Sequence, residues 1–180
     1  MSEERGFVFK INVIGDAAVG KTSLIRKYTQ GSFQKEYIRT IGAQFSKYDE
    51  EIEGKNCRLF FWDIAGQKEF SFMRDAFYQG SKAAIIVFSQ EENELGEESI
   101  NNIKEWHDNI TQYCGKIPIV LFGNKIDLIS DENAKDSKIN EIVEQCNLLG
   151  YYKTSAKTGV GVYGGFQTII RELYDRYKHS

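Results

Sequence analysis

The sequence predicts an α/β fold: a six-stranded, mostly parallel sheet with one antiparallel strand and helices on both faces, in three layers. Three observations predict it. Short apolar runs alternate with stretches of helical spacing along the 180 residues. One early pair of strand-like runs, joined by Glu53-Gly54, reads as a hairpin and supplies the antiparallel strand. Finally, Gly15-Asp-Ala-Ala-Val-Gly20-Lys21-Thr22 lies between the first strand and the first helix and fits the phosphate-loop pattern G-x-x-x-x-G-K-[ST].

Each element has its own signal. Val8 to Ile14 is apolar and β-branched, a buried strand. Thr22 to Gln30 places Leu24, Ile25 and Tyr28 on one helical face, and Gly31 is a stop. Gly31 to Arg39 is polar and aromatic and reads as loop. Ile41 to Ile52 and Cys57 to Asp63 are the hairpin strands. Ala65 to Arg74 reads as a loop with a short helix, and Ala83 to Phe88 as a strand buried on both faces. Gln90 to Glu98 carries five glutamates and reads as a solvated loop, with a partner-binding acidic loop as the alternative. Ser99 to Tyr113 is a helix with a core stripe of Ile100, Ile103, Trp106 and Ile110, closed by Gly115. Ile117 to Gly123 is another buried strand, with the one proline, Pro118, near its start, where a missing N–H is tolerated. Lys138 to Leu149 reads as an amphipathic helix, Tyr151 to Thr154 as a short last strand, and Gly164 to Lys178 as a closing helix. No repeat, low-complexity tract or linker divides the chain, so residues 1–180 are expected to form one domain.

Composition narrows the function. A hydrophobic fraction of 41% and a charged fraction of 27% are those of a globular domain. A net charge of −3 gives no electrostatic case for nucleic acid. No apolar run has the length of a membrane span, and residues 1–6 are too short and polar for a signal peptide. Three widely spaced cysteines, Cys57, Cys114 and Cys146, form neither a disulfide framework nor a zinc set and point to a reducing, cytoplasmic setting. His107 reads as a helix-face residue rather than a ligand.

The chemistry is expected at the carboxyl ends of the strands, where ligands of such sheets bind. Backbone N–H groups can wrap a phosphate chain only where the backbone turns sharply, so glycines bracket the loop. The helix that follows points its positive end at the anion. Asp16, Ala17, Ala18, Val19, Gly20, Lys21, Thr22 and Ser23 are therefore the expected phosphate-binding residues, with Lys21 at the β- and γ-phosphates and the Thr22 hydroxyl facing Mg²⁺. Asp63-Ile-Ala-Gly66-Gln67 follows a second strand: Asp63 would hold Mg²⁺ through water, Gly66 would bring an N–H to the γ-phosphate, and Gln67 would orient the attacking water. Asn124-Lys125-Ile-Asp127 follows a third. The Asp127 carboxylate can accept from N1–H and the exocyclic amine of guanine, a donor pair that adenine lacks. Ser155-Ala156-Lys157 follows the last strand, where a main-chain N–H could meet guanine O6 and the Lys125 and Lys157 stems could flank the base. Each short motif alone is also the composition of a polar turn. Four of them in order at one sheet edge are not explained as turns.

With these motifs the chain resembles the small GTPases of the Ras superfamily over essentially its whole length, and the expected architecture is the P-loop NTPase G domain. The resemblance implies GTP/GDP and Mg²⁺ as ligands, with Thr40 as a second metal-facing hydroxyl, Phe33 against the guanine and Tyr37 over the phosphates. Within the superfamily Tyr37 to Phe45, Trp62 to Gln67 and Phe77 to Gly80 are similar to Rab segments. That implies an effector-facing aromatic patch of Phe45, Trp62 and Phe77, with switch loops at about 33–42 and 64–78 meeting effectors, activating proteins and exchange proteins. Departures are Ile64 in place of threonine, Phe88-Ser-Gln-Glu in place of a Tyr-Asp strand end, and a tail without cysteine, so membrane attachment is not evident.

The expected activity is slow hydrolysis of GTP, with Gln67, Lys21 and Thr40 as catalytic residues and turnover on the order of 10⁻³ s⁻¹ or below until a partner accelerates it. No arginine is an evident internal finger; Arg39 beside Thr40 reads better as a solvated charge. Ala17 stands where Ras-type proteins usually have glycine and is expected to slow hydrolysis further. A nucleotide-bound scaffold with little hydrolysis, and a phosphate-loop kinase, are the competing readings; the kinase would not need Asn124-Lys125-Ile-Asp127.

Overall fold

A computed structural model describes residues 6–30, 43–66 and 68–180. Strands β1 (Phe7–Ile14), β2 (Ala43–Ile52), β3 (Lys55–Ile64), β4 (Ala83–Ser89), β5 (Ile119–Asn124) and β6 (Gly150–Lys153) join one sheet in the order β2-β3-β1-β4-β5-β6. The β2–β3 pair is antiparallel and every other neighbouring pair is parallel. The expected loop over residues 31–39 and the first two residues of the expected strand, 41 and 42, lie outside the described residues.

The apolar runs divide between two cores. Alternate residues of a strand point to opposite faces, so Ala83, Ile85 and Val87 of β4 pack with α1 (Lys21–Tyr28) and α6 (Val162–Tyr177), through Leu24, Tyr28, Phe166 and Ile170. Their neighbours Ala84, Ile86 and Phe88 pack on the other face against Ile100, Ile103, Trp106 and Ile110. A strand covered on both sides has no polar face, and every residue of β4 is buried. The helices therefore lie in two outer layers around the sheet.

Three elements differ from expectation. The single helix expected from Ser99 to Tyr113 is two, α3 (Glu94–Asn101) and α4 (Ile103–Cys114), broken at Asn102. Its core stripe survives the break, with all four expected residues buried. The acidic segment is not loop throughout: α3 starts at Glu94 because the Asn93 side chain accepts from Gly96 N at 2.9 Å, and Glu94 and Glu97 sit favourably in the first turn. Helix α5 (Asp136–Gln145) ends four residues early, because the Leu149 N–H donates to Ile119 O at 2.8 Å and draws residues 146–149 toward the sheet. After β3, a tight 3-10 turn over Lys68–Met73 leads into the short helix α2 (Arg74–Tyr78). Among the described residues no helix is long and apolar enough to cross a membrane. The three thiols are free, Cys57 and Cys146 buried and Cys114 half-buried.

Candidate functional site

Parallel pairing of β3, β1, β4, β5 and β6 brings the ends of β1, β3, β5 and β6 to one edge of the sheet. The loop after β1 opens α1 at Gly20, whose φ of 101° is left-handed. A Cβ there would also meet Asn124 Nδ2 at 2.3 Å, so the position admits only glycine. Lys21 is buried at the first turn, its ammonium donating to Gly15 O at 2.9 Å and Asp16 O at 2.7 Å. Burial pulls the Lys21 pKa down to about 8, the Asp63 and Asp16 carboxylates resist the fall, and Arg74 adds to it. A polyphosphate in the loop would favour the charged form again.

Thr22 and Asp63 converge, the hydroxyl donating to the Asp63 Oδ2. Burial raises the pKa of Asp63, and the Thr22 hydroxyl and Lys21 work against it. Hydroxyl and carboxylate at one point form a hard oxygen set that suits a small divalent cation. Gly66 lies directly against the phosphate loop: a Cβ there would stand 2.3 Å from Ala17 N and 2.4 Å from Gly15 O. Side-chain bulk at 66 would drive the two loops apart.

Asn124 ties the two halves of the site together. Its Nδ2 donates to Val19 O at 2.9 Å, its Oδ1 accepts from Thr154 Oγ1 and Ala156 N at 3.2 Å each, and its main-chain oxygen accepts from Gln90 N. Asp127 accepts from Ser155 Oγ at 2.7 Å, and Ser155 Oγ in turn accepts from Thr158 N, which fixes the carboxylate beside the last loop. Gly20, Ser23, Asn124, Lys125, Asp127, Ala156 and Lys157 line a cavity of about 290 Å³. Lys125 adopts φ 66° and pairs with Glu91 at 2.7 Å.

Of the residues expected from the sequence, the structure thus gathers Gly20, Lys21, Thr22, Ser23, Asp63, Gly66, Asn124, Lys125, Asp127, Ser155, Ala156 and Lys157 at this edge. Phe33, Tyr37, Arg39, Thr40 and Gln67 lie outside the described residues. Asp16 belongs to the loop, but its carboxylate turns to the helices, accepting from Asn102 Nδ2 at 2.8 Å and Trp106 Nε1 at 2.7 Å. Phe45, Trp62 and Phe77 do come together, Phe45 stacked on Trp62 at 5.4 Å and Trp62 tilted on Phe77 at 6.0 Å. Phe77 is buried against Trp62, and Phe45 and Trp62 are half-buried. The sequence reading missed Asn102, Trp106, Glu91 and Thr154. Only Trp106 carried a signal: an indole in an apolar stripe needs a partner for its N–H.

Comparison with known proteins agrees with this geometry. The Ras family model matches residues 10–175. The chain is similar to the GTP-binding protein ypt1 of Schizosaccharomyces pombe, 32% identical over 98% of this chain and 85% of that protein. It is 35% identical to the GTP-binding protein YPTM1 of Zea mays over 92% of this chain and 78% of the relative. With the Ras-related protein RAB1BV of Beta vulgaris it shares 32% over 97% of this chain and 80% of the relative. The chain belongs to the Ras family, as a Rab-like member.

Proposed function

We propose that this chain, acting as one unit over residues 1–180, is a guanine-nucleotide switch that binds GTP and GDP and hydrolyses GTP to GDP and phosphate. The observation that carries the reading is the convergence of Lys21, Thr22 and Asp63 with Asn124, Asp127 and Ser155 at one sheet edge. Lys21 neutralises charge on the β- and γ-phosphates, and the loop main chain from Asp16 to Gly20 supplies donors that need no reorganisation. Asp127 selects guanine through its acceptor pair, and the Lys125 and Lys157 stems flank the base. Thr22, Asp63 and Thr40 would hold Mg²⁺, which when bound supplies further neutralisation of the phosphate oxygens. Gln67 orients the attacking water in line with the departing GDP.

The partner surface in this proposal is formed by Phe45 and Trp62, with Phe77 as the floor that holds Trp62. Lys10 Nζ lies 4.3 Å from the Trp62 ring centroid and adds charge to the patch. Activating and exchange proteins meet the segments at about 33–42 and 64–78. A cytoplasmic setting is part of the proposal and is supported by the odd, widely spaced set of three cysteines.

Single-turnover hydrolysis of preloaded GTP with Mg²⁺, wild type beside Gln67→Leu, tests the reading. Slow turnover in the wild type, on the order of 10⁻³ s⁻¹ or below, and a markedly slower leucine variant are expected. Equal rates in the two proteins would remove Gln67 from the mechanism, and equal competition by ATP would remove the guanine assignment.

A further inference from the structure

The carboxylate of Asp16 is spent on two side chains from outside the phosphate loop. Asn102 reaches it from the break between α3 and α4, and Trp106 from the first turns of α4. Trp106 is 4% exposed, and a phenylalanine would fill its place in the apolar stripe; what the indole adds is an N–H. A donor on an ionised carboxylate is among the stronger hydrogen bonds. A face of the indole is covered by Arg74, whose guanidinium carbon lies 4.1 Å from the ring centroid. Arg74 is 8% exposed and its Nε has no hydrogen-bond partner. Among the described residues no ion pair joins Arg74 to Asp16.

These contacts close a circuit. Gly66 abuts the Asp16 and Ala17 backbone, and Arg74, eight residues on, returns to the same loop through Trp106. Both ends of the segment that contains Gln67 are thereby referred to Asp16. We propose that Asp16, Trp106 and Arg74 form a positioning relay in which Trp106 couples the phosphate loop to the segment from Gly66 to Arg74, so that the γ-phosphate is read at the indole. Resting on the guanine-nucleotide reading above, the relay adds three positioning residues to it. The Arg74 end is the weaker link. A cation held by a ring face, with one N–H unsatisfied, is a contact that can be exchanged at low cost. Space for the exchange exists, since a cleft of about 680 Å³ opens between Gly66, Ser71 and Arg74 on one side and Leu95 and Trp106 on the other.

The test has two arms, after labelled GDP binding has been measured. Trp62→Phe leaves Trp106 as the one indole of a chain with two tryptophans. In that protein the emission of Trp106 is expected to differ between the GDP complex and a complex with a non-hydrolysable GTP analogue. In the second arm Trp106→Phe and Arg74→Ala are each expected to lower single-turnover hydrolysis roughly five-fold while GDP affinity stays within about two-fold. The double variant should be no slower than the slower single, because both break one circuit. Arg74→Lys, which keeps a cation on the ring, should recover most of the rate. Identical Trp106 emission in the two complexes, or losses that multiply in the double variant, would overturn the relay while leaving the switch itself intact. Absence of guanine-nucleotide binding in the wild type would remove both.

Discussion

Replacing Asn124 by alanine is the perturbation with the most direct structural arithmetic. Its side chain is 2% exposed and makes three hydrogen bonds, to Val19 O, Thr154 Oγ1 and Ala156 N. Each is worth about 1 kcal/mol net, and the stranded partners are buried or half-buried, so the loss should total about 3 kcal/mol. For a chain of this size each kcal/mol lowers the melting temperature by about 2–4 °C, which gives a drop of about 6–12 °C. Thr154→Val removes one of the three bonds and should cost about a third as much, about 1 kcal/mol. Val19 belongs to the phosphate loop and Ala156 to the base loop, so the alanine variant should also release GDP faster, by about ten-fold for each 1.4 kcal/mol of lost coupling. Thermal unfolding at saturating GDP and release of a labelled GDP measure the two effects. A melting temperature lowered by less than about 3 °C, or a Thr154→Val cost equal to that of Asn124→Ala, would refute the idea that Asn124 joins the two loops.

Two further predictions concern the other strand ends. Gly66→Ala would place a methyl within 2.4 Å of main-chain atoms of Gly15 and Ala17, which cannot swing aside. It should weaken GTP binding at least ten-fold relative to GDP, on the order of 1.4 kcal/mol, measured by competition titration; an unchanged GTP-to-GDP preference would show that Gly66 does not approach the γ-phosphate. Glu91 is held below its ordinary value of 4.5, chiefly by the hydrogen bond from Lys125, with burial opposing and Ser89 assisting. A lowered carboxyl pKa contributes stability above the unfolded value and loses it as the pH falls through the folded one. Urea midpoints of wild type and Glu91→Gln should therefore differ at pH 7 and draw together as the pH falls below the ordinary glutamate value and through the lowered folded one; a constant gap would mean that the Glu91–Lys125 pair does not titrate with folding.

What was legible in the sequence is what local chemistry dictates. The apolar run from Ala83 to Phe88 could be read as a doubly covered strand because no polar residue interrupts it, and Glu53-Gly54 could be read as a turn because glycine accepts positive φ, observed at 77° for Gly54 with Glu53 at 50° beside it. The phosphate loop and the base loops were legible for the same reason, each being a contiguous motif with its own mechanism. The break at Asn102 was not. The spacing of Ile100, Ile103, Trp106 and Ile110 continues across it, and the Asn102 side chain there is committed to Asp16, 86 positions away. Glu91 was hidden likewise: five glutamates in nine residues read as a solvated loop, whereas one of them finds Lys125 across 34 positions. Long-range polar pairing leaves no local periodicity.

These long-range pairs explain how a short glycine-bracketed loop is held still. Its backbone is not fixed by its own sequence, since glycine resists no conformation. It is gripped from two sides instead, by Asn124 at Val19 O and by Asn102 and Trp106 at the Asp16 carboxylate. The first grip comes from the end of β5, just before the turn that carries Asp127, and the second from the helices that face Arg74. Preorganised donors cost nothing to arrange at the moment of reaction, so a loop clamped in this way can act as the fixed reference for a switch. Change on hydrolysis is then expected in segments that meet the clamp without a hydrogen bond from their own side chains. Gly66 meets the loop by close main-chain approach to Gly15, Asp16 and Ala17 with no side chain of its own, and Arg74 meets it through the Trp106 ring face. A switch needs elements with two arrangements of nearly equal energy, and contacts of that kind supply them, while the doubly anchored loop does not.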